Sequence, residues 1–401
     1  MNILVAPVHV YLNPLYGSEF SWAYNIMKYV SESFPVNFYA ICGKAELNRK
    51  LKNTAVFEVL SERPVGLFDE ALFIFKYYKL ATKILKRSRP PIDLIHHIFP
   101  LGFKSGFNPL AVLDTLDRRP FIVGPIQFPV KGDITDYAYI LNLNLSKVRT
   151  KLLYNVNRVF FKVMSKPLLN LHLITLEKAN VLIFDSKTTY KLYKELFPGI
   201  IRRAKIIPPG VETDFFTFIP PKRKQYLEIL ATGSLIWSKG FHYLLRAIPE
   251  LLKEFPNLRV RILGTGPCEG YLKWLTTKLG IERHVTFEGR VNRFDMIKYY
   301  ASCDIYIARF GVHSILEAQA VGRPVVTSDI GYMPEVISDG VTGYVAPFEN
   351  VEILKEVISK LLENSELRFK MGIQARSRIE KEFAWSKLAN EYYTLYSSLV
   401  H

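Results

Sequence analysis

A glycine loop between an apolar strand and a helix is the segment of this sequence best suited to bind an anion. Asp304 to Ala308 is a β-branched and aromatic run typical of a buried strand, Gly311 follows it, and the residues from Ser314 to Val321 have a helical pattern. A loop that leaves a parallel strand and opens a helix presents free N–H groups at the positive end of the helix dipole. The segment therefore predicts one strand–loop–helix turn of a parallel α/β sheet, with a phosphate site at the loop.

Glu317 lies in that helix and has two interpretations. Ser314 and Glu317 have the S-x-x-E spacing of a capping box, in which the carboxylate only satisfies backbone N–H groups at the helix start. Alternatively, the carboxylate accepts hydrogen bonds from the ribose hydroxyls of a nucleotide. The local pattern leaves both open.

Two further glycine loops follow expected strands in the second half of the chain. Gly233 to Gly240 comes after an apolar run and contains Lys239, a cation suited to a phosphate. Gly264 and Gly266 follow the next run, but the third glycine of a dinucleotide fingerprint is replaced by Glu269. The sequence therefore gives no indication of an NAD site.

Paired histidines, His96 and His97, end the expected strand that begins near Asp93. Neighbouring side chains of a strand point to opposite faces, so at most one of the two rings is expected to face a ligand. The carboxyl end of a strand in an open α/β sheet is a common ligand position. We favour His97 over His96, and a structural role for both is the alternative.

The composition is that of a globular protein with room for two or three domains. The chain has 401 residues, of which 49% are hydrophobic, and no apolar run is long enough to span a membrane. Its first residues read as a buried strand and not as a signal peptide. The three cysteines are scattered, which argues against a zinc site or a disulfide framework and for a reducing, cytoplasmic location.

The net charge of +16 is concentrated in the first half of the chain, where residues 1–210 carry +14. A basic half favours an anionic partner, although a lysine-rich solvated surface is the alternative. Residues 147–166 combine an apolar stripe with a basic one, so peripheral contact with an anionic membrane and packing against a sheet are both open. No nucleic-acid motif is present, and we expect no nucleic-acid partner. The basic stripe consists of Lys147, Lys151, Arg158, Lys162 and Lys166.

Several of these motifs together resemble the retaining glycosyltransferases of family 4. The resemblance rests on L-E-A-Q-A-V-G-R-P-V-V from Leu316, on G-Y-M-P-E-V-I-S-D-G-V-T-G-Y-V from Gly331, and on I-P-P-G-V-E-T-D-F-F. G-S-E at residues 17–19 and D-L-I-H-H at 93–97 are similar to one branch of the family. The resemblance implies the α/β fold named GT-B, in which two Rossmann-like domains face each other across a cleft.

The resemblance also implies a domain organisation and an activity. Residues 1–218 would bind the acceptor, residues 219–383 would bind a nucleotide sugar, and a final helix at about 384–401 would cross back to the first domain. The chain would be a hexosyltransferase of polysaccharide or glycolipid biosynthesis. It would transfer a sugar from a nucleoside-diphosphate sugar to a glycan or lipid-linked acceptor, with retention of configuration and without a metal or other cofactor. The alternatives are a nucleotide-sugar-binding protein with reduced catalysis, or another GT-B enzyme such as a sugar-nucleotide epimerase.

The resemblance finally assigns site residues. The catalytic set is His97, His96, Lys239 and Glu317. The acceptor side is Gly124 and Gln127. The donor set is Gly17, Ser18, Ser234, Lys239, Gly264, Gly266, Val291, Arg309, Gly311, Val312, His313, Ser314, Ile315 and Glu317.

Two positions depart from the family pattern. The family has a glutamate where this chain has Arg309, and an arginine where it has Ser234. Our hypothesis is an exchange, in which Arg309 supplies beside the donor phosphates the positive charge that Ser234 lacks.

Overall fold

The chain folds into two compact α/β units. The computed structural model describes residues 1–7, 11–12, 19–47, 50–62, 67–98, 107–127, 167–222 and 224–400. Among the described residues, the first unit contains those of Met1–Pro129, Val159–Pro209 and Trp385–His401, and the second contains those of Gly210–Ala384. The chain therefore enters the second unit at Gly210, nine residues before the boundary drawn from the sequence.

The first unit is built on a seven-stranded parallel sheet with the order β5-β3-β1-β6-β7-β8-β9, and β2 pairs with β4 beside it. Its strands are β1 (Asn2–Val5), β2 (Tyr11–Leu12), β3 (Asn37–Cys42), β4 (Lys44–Ala45), β5 (Thr54–Glu58), β6 (Leu94–His97), β7 (Phe121–Ile126), β8 (Val181–Phe184) and β9 (Ala204–Ile206). Its helices are α1 (Glu19–Ser33), α2 (Leu67–Arg87), α3 (Pro109–Val112), the helical residues 167–177, α4 (Lys187–Leu196) and α11 (Trp385–Val400).

Both faces of this sheet are covered by helices, and the alternation along β1 shows how. Ile3 and Val5 belong to the apolar core that also contains residues of α1 and α11, whereas Leu4 lies in the core that contains residues of α2. A parallel strand with helices on both faces is buried on both sides, so its sequence tends to be a continuous apolar run. In agreement, all four residues of β1 are buried.

Helix α11 is an integral part of the first unit although it comes last in the described chain. Trp385 is 2% exposed and Tyr396 is fully buried, both in the same core as residues of α1. The Tyr393 ring stacks on Phe34 with 4.1 Å between centroids. The first unit is therefore completed by a segment that follows the whole of the second.

The second unit has a six-stranded parallel sheet with the order β12-β11-β10-β13-β14-β15. Its strands are β10 (Glu228–Thr232), β11 (Arg259–Leu263), β12 (Val285–Gly289), β13 (Ile305–Ala308), β14 (Val325–Ser328) and β15 (Gly343–Ala346). Its helices are α5 (Phe241–Glu254), α6 (Glu269–Lys278), α7 (Arg293–Ser302), α8 (Val312–Ala320), α9 (Val351–Glu363) and α10 (Ser365–Arg378). A 3₁₀ turn at Trp237–Lys239, another at Met333–Glu335 and a π-helical turn at Ile379–Phe383 complete it.

The two sheets confirm the α/β class and the two Rossmann-like domains expected from the sequence. Neighbouring β10 and β13 run in parallel, so the loops that follow them leave the same edge of the second sheet. Among the helices of the described ranges, none is both long enough and apolar enough to cross a membrane.

Candidate donor site in the second unit

Lys239 lies against the start of helix α8. Its Nζ donates a hydrogen bond to the carbonyl of Phe310 at 3.1 Å and lies 5.0 Å from the centroid of that ring. A Cβ added to Gly311, the N-cap of α8, would be only 3.6 Å from this Nζ. The ammonium group and the positive end of the helix dipole therefore meet at one place, which is a favourable site for a phosphate.

Glycines allow the loops around Lys239 to pack closely. Gly264 has a φ of +128°, and a Cβ added to it would lie 1.9 Å from the carbonyl oxygen of Gly233. A Cβ on Gly266 would lie 2.7 Å from the backbone nitrogen and oxygen of Leu235. Both glycines, predicted as donor-binding residues, thus shape the loop that contains Ser234, whose side chain is exposed.

Glu317 has partners other than those of a capping box. Tyr300 donates its hydroxyl to Oε2 of Glu317 at 2.9 Å, and Nη2 of Arg293 lies 3.8 Å from Oε1. Ser314 donates its Oγ to the carbonyl of Gly311 at 2.9 Å, and α8 has no side-chain cap. The capping-box interpretation is therefore wrong, because both side chains are engaged elsewhere.

His313 lies in the first turn of α8, where two cations influence its pKa. Burial lowers the pKa of His313 to about 3, and the positive charges of Arg293 and Lys239 act in the same direction. His313 is therefore neutral at pH 7. His313 therefore adds no positive charge of its own to that of Lys239 at this helix start.

Arg309 does not take the place proposed for it in the exchange with Ser234. Its side chain is 2% exposed, and its Nη1 donates to the carbonyls of Thr327 at 3.2 Å and Ala346 at 3.1 Å. Its Nη2 donates to the carbonyls of Pro347 and Phe348. Burial lowers the pKa of Arg309 to about 10, so the guanidinium remains charged at pH 7. The exchange hypothesis is contradicted, because the guanidinium joins the end of β13 to the segment after β15.

The paired histidines are both enclosed in the first unit. His96 is fully buried, with Nδ1 2.9 Å from the Tyr396 hydroxyl and Nε2 3.1 Å from the carbonyl oxygen of Gly124. His97 is also fully buried, with Nδ1 3.2 Å from Nδ2 of Asn108. Alternation does send the two rings to opposite faces, but both faces are covered. The expectation that His97 or His96 presents its ring to a ligand is therefore not met.

The buried histidines make stability depend on pH. Burial lowers the pKa of His96 and of His97 to about 3, so the unfolded chain takes up protons near pH 6.5 and the folded chain does not. Unfolding should therefore become easier as the pH falls from about 7 towards 3. We expect His97→Asn to reduce the loss of unfolding free energy between pH 7 and pH 5 by about 2 kcal/mol, measured by urea titration at both pH values.

Tyr396→Phe is the matched control for this prediction, since it removes a buried hydrogen bond at His96 but no imidazole. It should lower the free energy of unfolding by about 1 kcal/mol at both pH values and preserve the difference between them. The same loss of unfolding free energy between pH 7 and pH 5 in the wild type and in His97→Asn would contradict the lowered pKa of His97.

The other residues predicted from the sequence are distributed as follows. Gly124 is buried with a φ of +142°, and a Cβ there would lie 2.4 Å from the Ile183 carbonyl oxygen, so its own packing requires glycine. Gln127 follows β7 and Val291 precedes α7, both half-buried. Val312 and Ile315 are both buried, and the N–H of Ile315 donates to the carbonyl of Gly311 at 3.3 Å, so neither of their side chains nor that N–H is available to a ligand. Gly17, Ser18 and the stripe at 147–166 lie outside the described residues.

Sequence reasoning missed three residues around Glu317. Arg293 contacts Glu212 through Nη2, and Tyr300 donates to Glu317. The signal for Arg293 was its position directly after Asn292, which caps α7 by accepting from the Phe294 N–H at 2.9 Å. That cap places the first side chain of α7 at a helix start but does not say which carboxylate it meets.

Residues 212–378 match the family model described as glycosyl transferases group 1. The spore coat protein SA of Bacillus subtilis (strain 168) is 32% identical over 180 residues, which are 42% of this chain and 48% of that protein. The GDP-mannose-dependent alpha-(1-6)-phosphatidylinositol monomannoside mannosyltransferase of Mycolicibacterium smegmatis is 28% identical over 227 residues, 52% of this chain and 59% of that protein. The chain thus spans about half the length of these curated relatives.

Solved structures resemble the chain over nearly its whole length. The sucrose-phosphate synthase of Thermosynechococcus elongatus matches with a TM-score of 0.70 at 15% identity, covering 99% of this chain and 98% of that one. An Anabaena protein solved with UDP-glucose matches with a TM-score of 0.67 at 17% identity, covering 100% of both chains. Residues 212–378 thus match the model of the glycosyl transferases group 1 family, within a chain that has the GT-B fold.

Proposed function

We propose that this chain is a hexosyltransferase that transfers a sugar from a nucleoside-diphosphate sugar to a glycan or lipid-linked acceptor, with retention of configuration and without a metal. The observation that carries the proposal is the meeting of Lys239 with the start of α8, where its Nζ donates to the carbonyl of Phe310 at 3.1 Å. Glu317 lies further along the same helix. This is where a carboxylate that accepts hydrogen bonds from the ribose hydroxyls is expected, when the diphosphate occupies the helix start.

The proposed chemistry is electrostatic. The diphosphate would bind Lys239 and the N–H groups at the first turn of α8, and the ribose hydroxyls would donate to Glu317. When the bond to the sugar breaks, negative charge grows on the departing phosphate oxygen. A fixed ammonium group and a helix dipole stabilise that charge without reorganising, which lowers the barrier. In this scheme Lys239 and the dipole of α8 neutralise the diphosphate, a role that a metal ion has in other enzymes.

The relatives support the class of donor. The Mycolicibacterium smegmatis protein is named as a GDP-mannose-dependent mannosyltransferase, and the Anabaena structure holds UDP-glucose. Both compounds are nucleoside-diphosphate hexoses, although their bases differ. For this chain we therefore propose the class of donor, a nucleoside-diphosphate hexose, without choosing either base.

The acceptor would be bound by the first unit, and Gln127 is the predicted acceptor-side residue whose side chain is not fully buried. His96 and His97 take no part in the proposed transfer, because both rings are enclosed.

The test of the donor site is a thermal-shift series with UDP, GDP, ADP and their hexose derivatives. A ligand at one hundred times its Kd stabilises the unit that binds it by about 2.7 kcal/mol, which is a readily measured shift. We expect one diphosphate and its sugar to shift the melting temperature, and the matching nucleoside to shift it much less. No shift with any of them would contradict the proposal. Sugar transfer to an acceptor would identify the protein as an enzyme. Donor binding without any transfer would identify it as a binding protein with reduced catalysis.

We further propose that residues 147–166 contact an anionic membrane surface, on the basis of their basic and apolar stripes. Each of the five basic side chains would contribute about 1 kcal/mol near such a surface. We expect the protein to float with vesicles of mixed phosphatidylglycerol and phosphatidylcholine at low salt, and to be released at high salt. Failure to float at either salt concentration would contradict this contact.

A further inference from the structure

Arg293 lies between two carboxylates at the candidate donor site. Its Nη2 contacts Oε2 of Glu212 and is 3.8 Å from Oε1 of Glu317. The guanidinium also lies 5.5 Å from the centroid of the Phe216 ring. The side chains of Arg293, Glu212 and Glu317 are 12%, 16% and 14% exposed, so solvent screens these charges only in part.

The carboxylate of Glu317 retains acceptor capacity. Tyr300 donates to its Oε2 at 2.9 Å and is its one hydrogen-bond donor in the described part of the chain. Arg293, at 3.8 Å, lies beyond hydrogen-bond distance. An ionised carboxylate accepts up to about four hydrogen bonds. The charge of Arg293 therefore holds Oε1 in place, and Oε1 can still accept hydrogen bonds from the hydroxyl groups of a ligand.

The charges around Glu317 oppose one another. Burial raises the pKa of Glu317 and the negative charge of Glu212 does the same, whereas Arg293 and the hydroxyl of Tyr300 lower it. Without Arg293, two partly buried carboxylates would face each other and Glu317 would take up a proton more readily. A protonated Glu317 is a weaker acceptor for a hydroxyl group.

We propose that Arg293 is a positioning residue that keeps Glu317 ionised and oriented towards the 2′- and 3′-hydroxyls of a nucleotide ribose, so that the site prefers ribonucleotides to deoxyribonucleotides. Glu212 anchors Arg293 from the other side. This inference rests on the proposed function, since it needs a nucleotide at Glu317, but it adds a residue and a selectivity that the donor site alone does not require.

The experiment measures Kd by calorimetry for UDP, GDP and their 2′,3′-dideoxy counterparts, with the full-length chain. We expect the wild type to bind the better ribonucleotide about ten to one hundred times more tightly than its dideoxy form. Arg293→Met should reduce that ratio below about threefold, and Arg293→Lys should restore part of it. Arg283→Met, which removes an exposed arginine of the same unit, is the matched control and should leave the ratio unchanged.

Two additional measurements exclude a merely structural role. In a Glu317→Gln background, Arg293→Met should have no further effect on the ribose preference, because the acceptor that it positions is already altered. The ribose preference of Arg293→Met should also recover as the pH is raised, since Glu317 then loses its proton. If Arg293→Met does not fold, the double variant Glu212→Gln/Arg293→Met replaces it in the experiment. The added Glu212→Gln substitution removes the carboxylate that the loss of Arg293 leaves unpaired.

The outcomes separate the two proposals. A wild type that binds UDP or GDP, with the same ribose preference in Arg293→Met, would overturn the role of Arg293 and leave the donor site standing. A wild type that binds none of UDP, GDP and ADP would overturn both.

Discussion

Replacing Lys239 with methionine is expected to weaken the binding of the preferred nucleoside diphosphate by about ten- to one hundredfold. A hydrogen bond to a charged group contributes about 1.5–3 kcal/mol, and each 1.4 kcal/mol is a factor of ten in Kd. The rate of sugar transfer should fall further, by about one hundredfold or more, because the charge on the departing phosphate is largest in the transition state. Calorimetry with UDP and GDP measures the first effect, and initial rates at saturating donor measure the second.

The selectivity of this loss distinguishes a phosphate contact from a general disturbance of the loop. Binding of the nucleoside alone should change by less than about threefold, since it has no phosphate for Lys239 to contact. Lys239→Arg should retain part of the affinity. Lys253→Met is the control, because Lys253 is exposed on α5 and pairs with Glu250. Equal weakening of nucleoside and diphosphate binding would be evidence against the phosphate role.

Replacing Arg309 with methionine is expected to destabilise the second unit by about 3 kcal/mol or more. The substitution keeps much of the aliphatic stem but leaves the carbonyls of Thr327, Ala346, Pro347 and Phe348 without their buried donor. Each unsatisfied buried carbonyl costs about 1 kcal/mol or more. A urea titration should show a lower midpoint for the transition of the second unit.

Donor affinity separates this structural role from a catalytic one. Below the temperature at which the variant unfolds, Arg309→Met should bind the preferred diphosphate within about fivefold of the wild type. Arg283→Met should change neither the midpoint nor the affinity. An unchanged urea midpoint together with a large loss of diphosphate affinity would restore the exchange between Arg309 and Ser234.

The strands and loops of the second unit were predictable because their signals are local. The apolar run before Gly311 and the loop that contains Lys239 could both be placed from the sequence, and the structure puts them side by side because β10 and β13 are neighbours. Parallel strands that are buried on both faces give continuous apolar runs, which are easily recognised. The expected boundaries of α8 differ from the observed ones because Gly311 is the N-cap, so the helix begins at Val312 and not at Ser314.

The side-chain partners were not predictable, because they come from distant segments. Glu317 meets Tyr300 and Arg293 on a helix that precedes α8, whereas the capping box assumed a partner three residues away. His96 is covered by Tyr396, 300 residues later, so alternation along β6 could not show that both faces are closed. Arg309 has the length to reach either a ligand or the carbonyls after β15, and the sequence contains no signal for that choice.

The position of helix α11 has a consequence for biosynthesis. The core of the first unit needs Trp385 and Tyr396, so the amino-terminal part of the chain emerges from the ribosome long before the helix that completes its core. The second unit, which ends at Ala384, is fully synthesised before that helix. A ribosome that stalls or terminates between the two would release a product with a finished second unit and an exposed apolar face on the first, which is a substrate for chaperones and proteases.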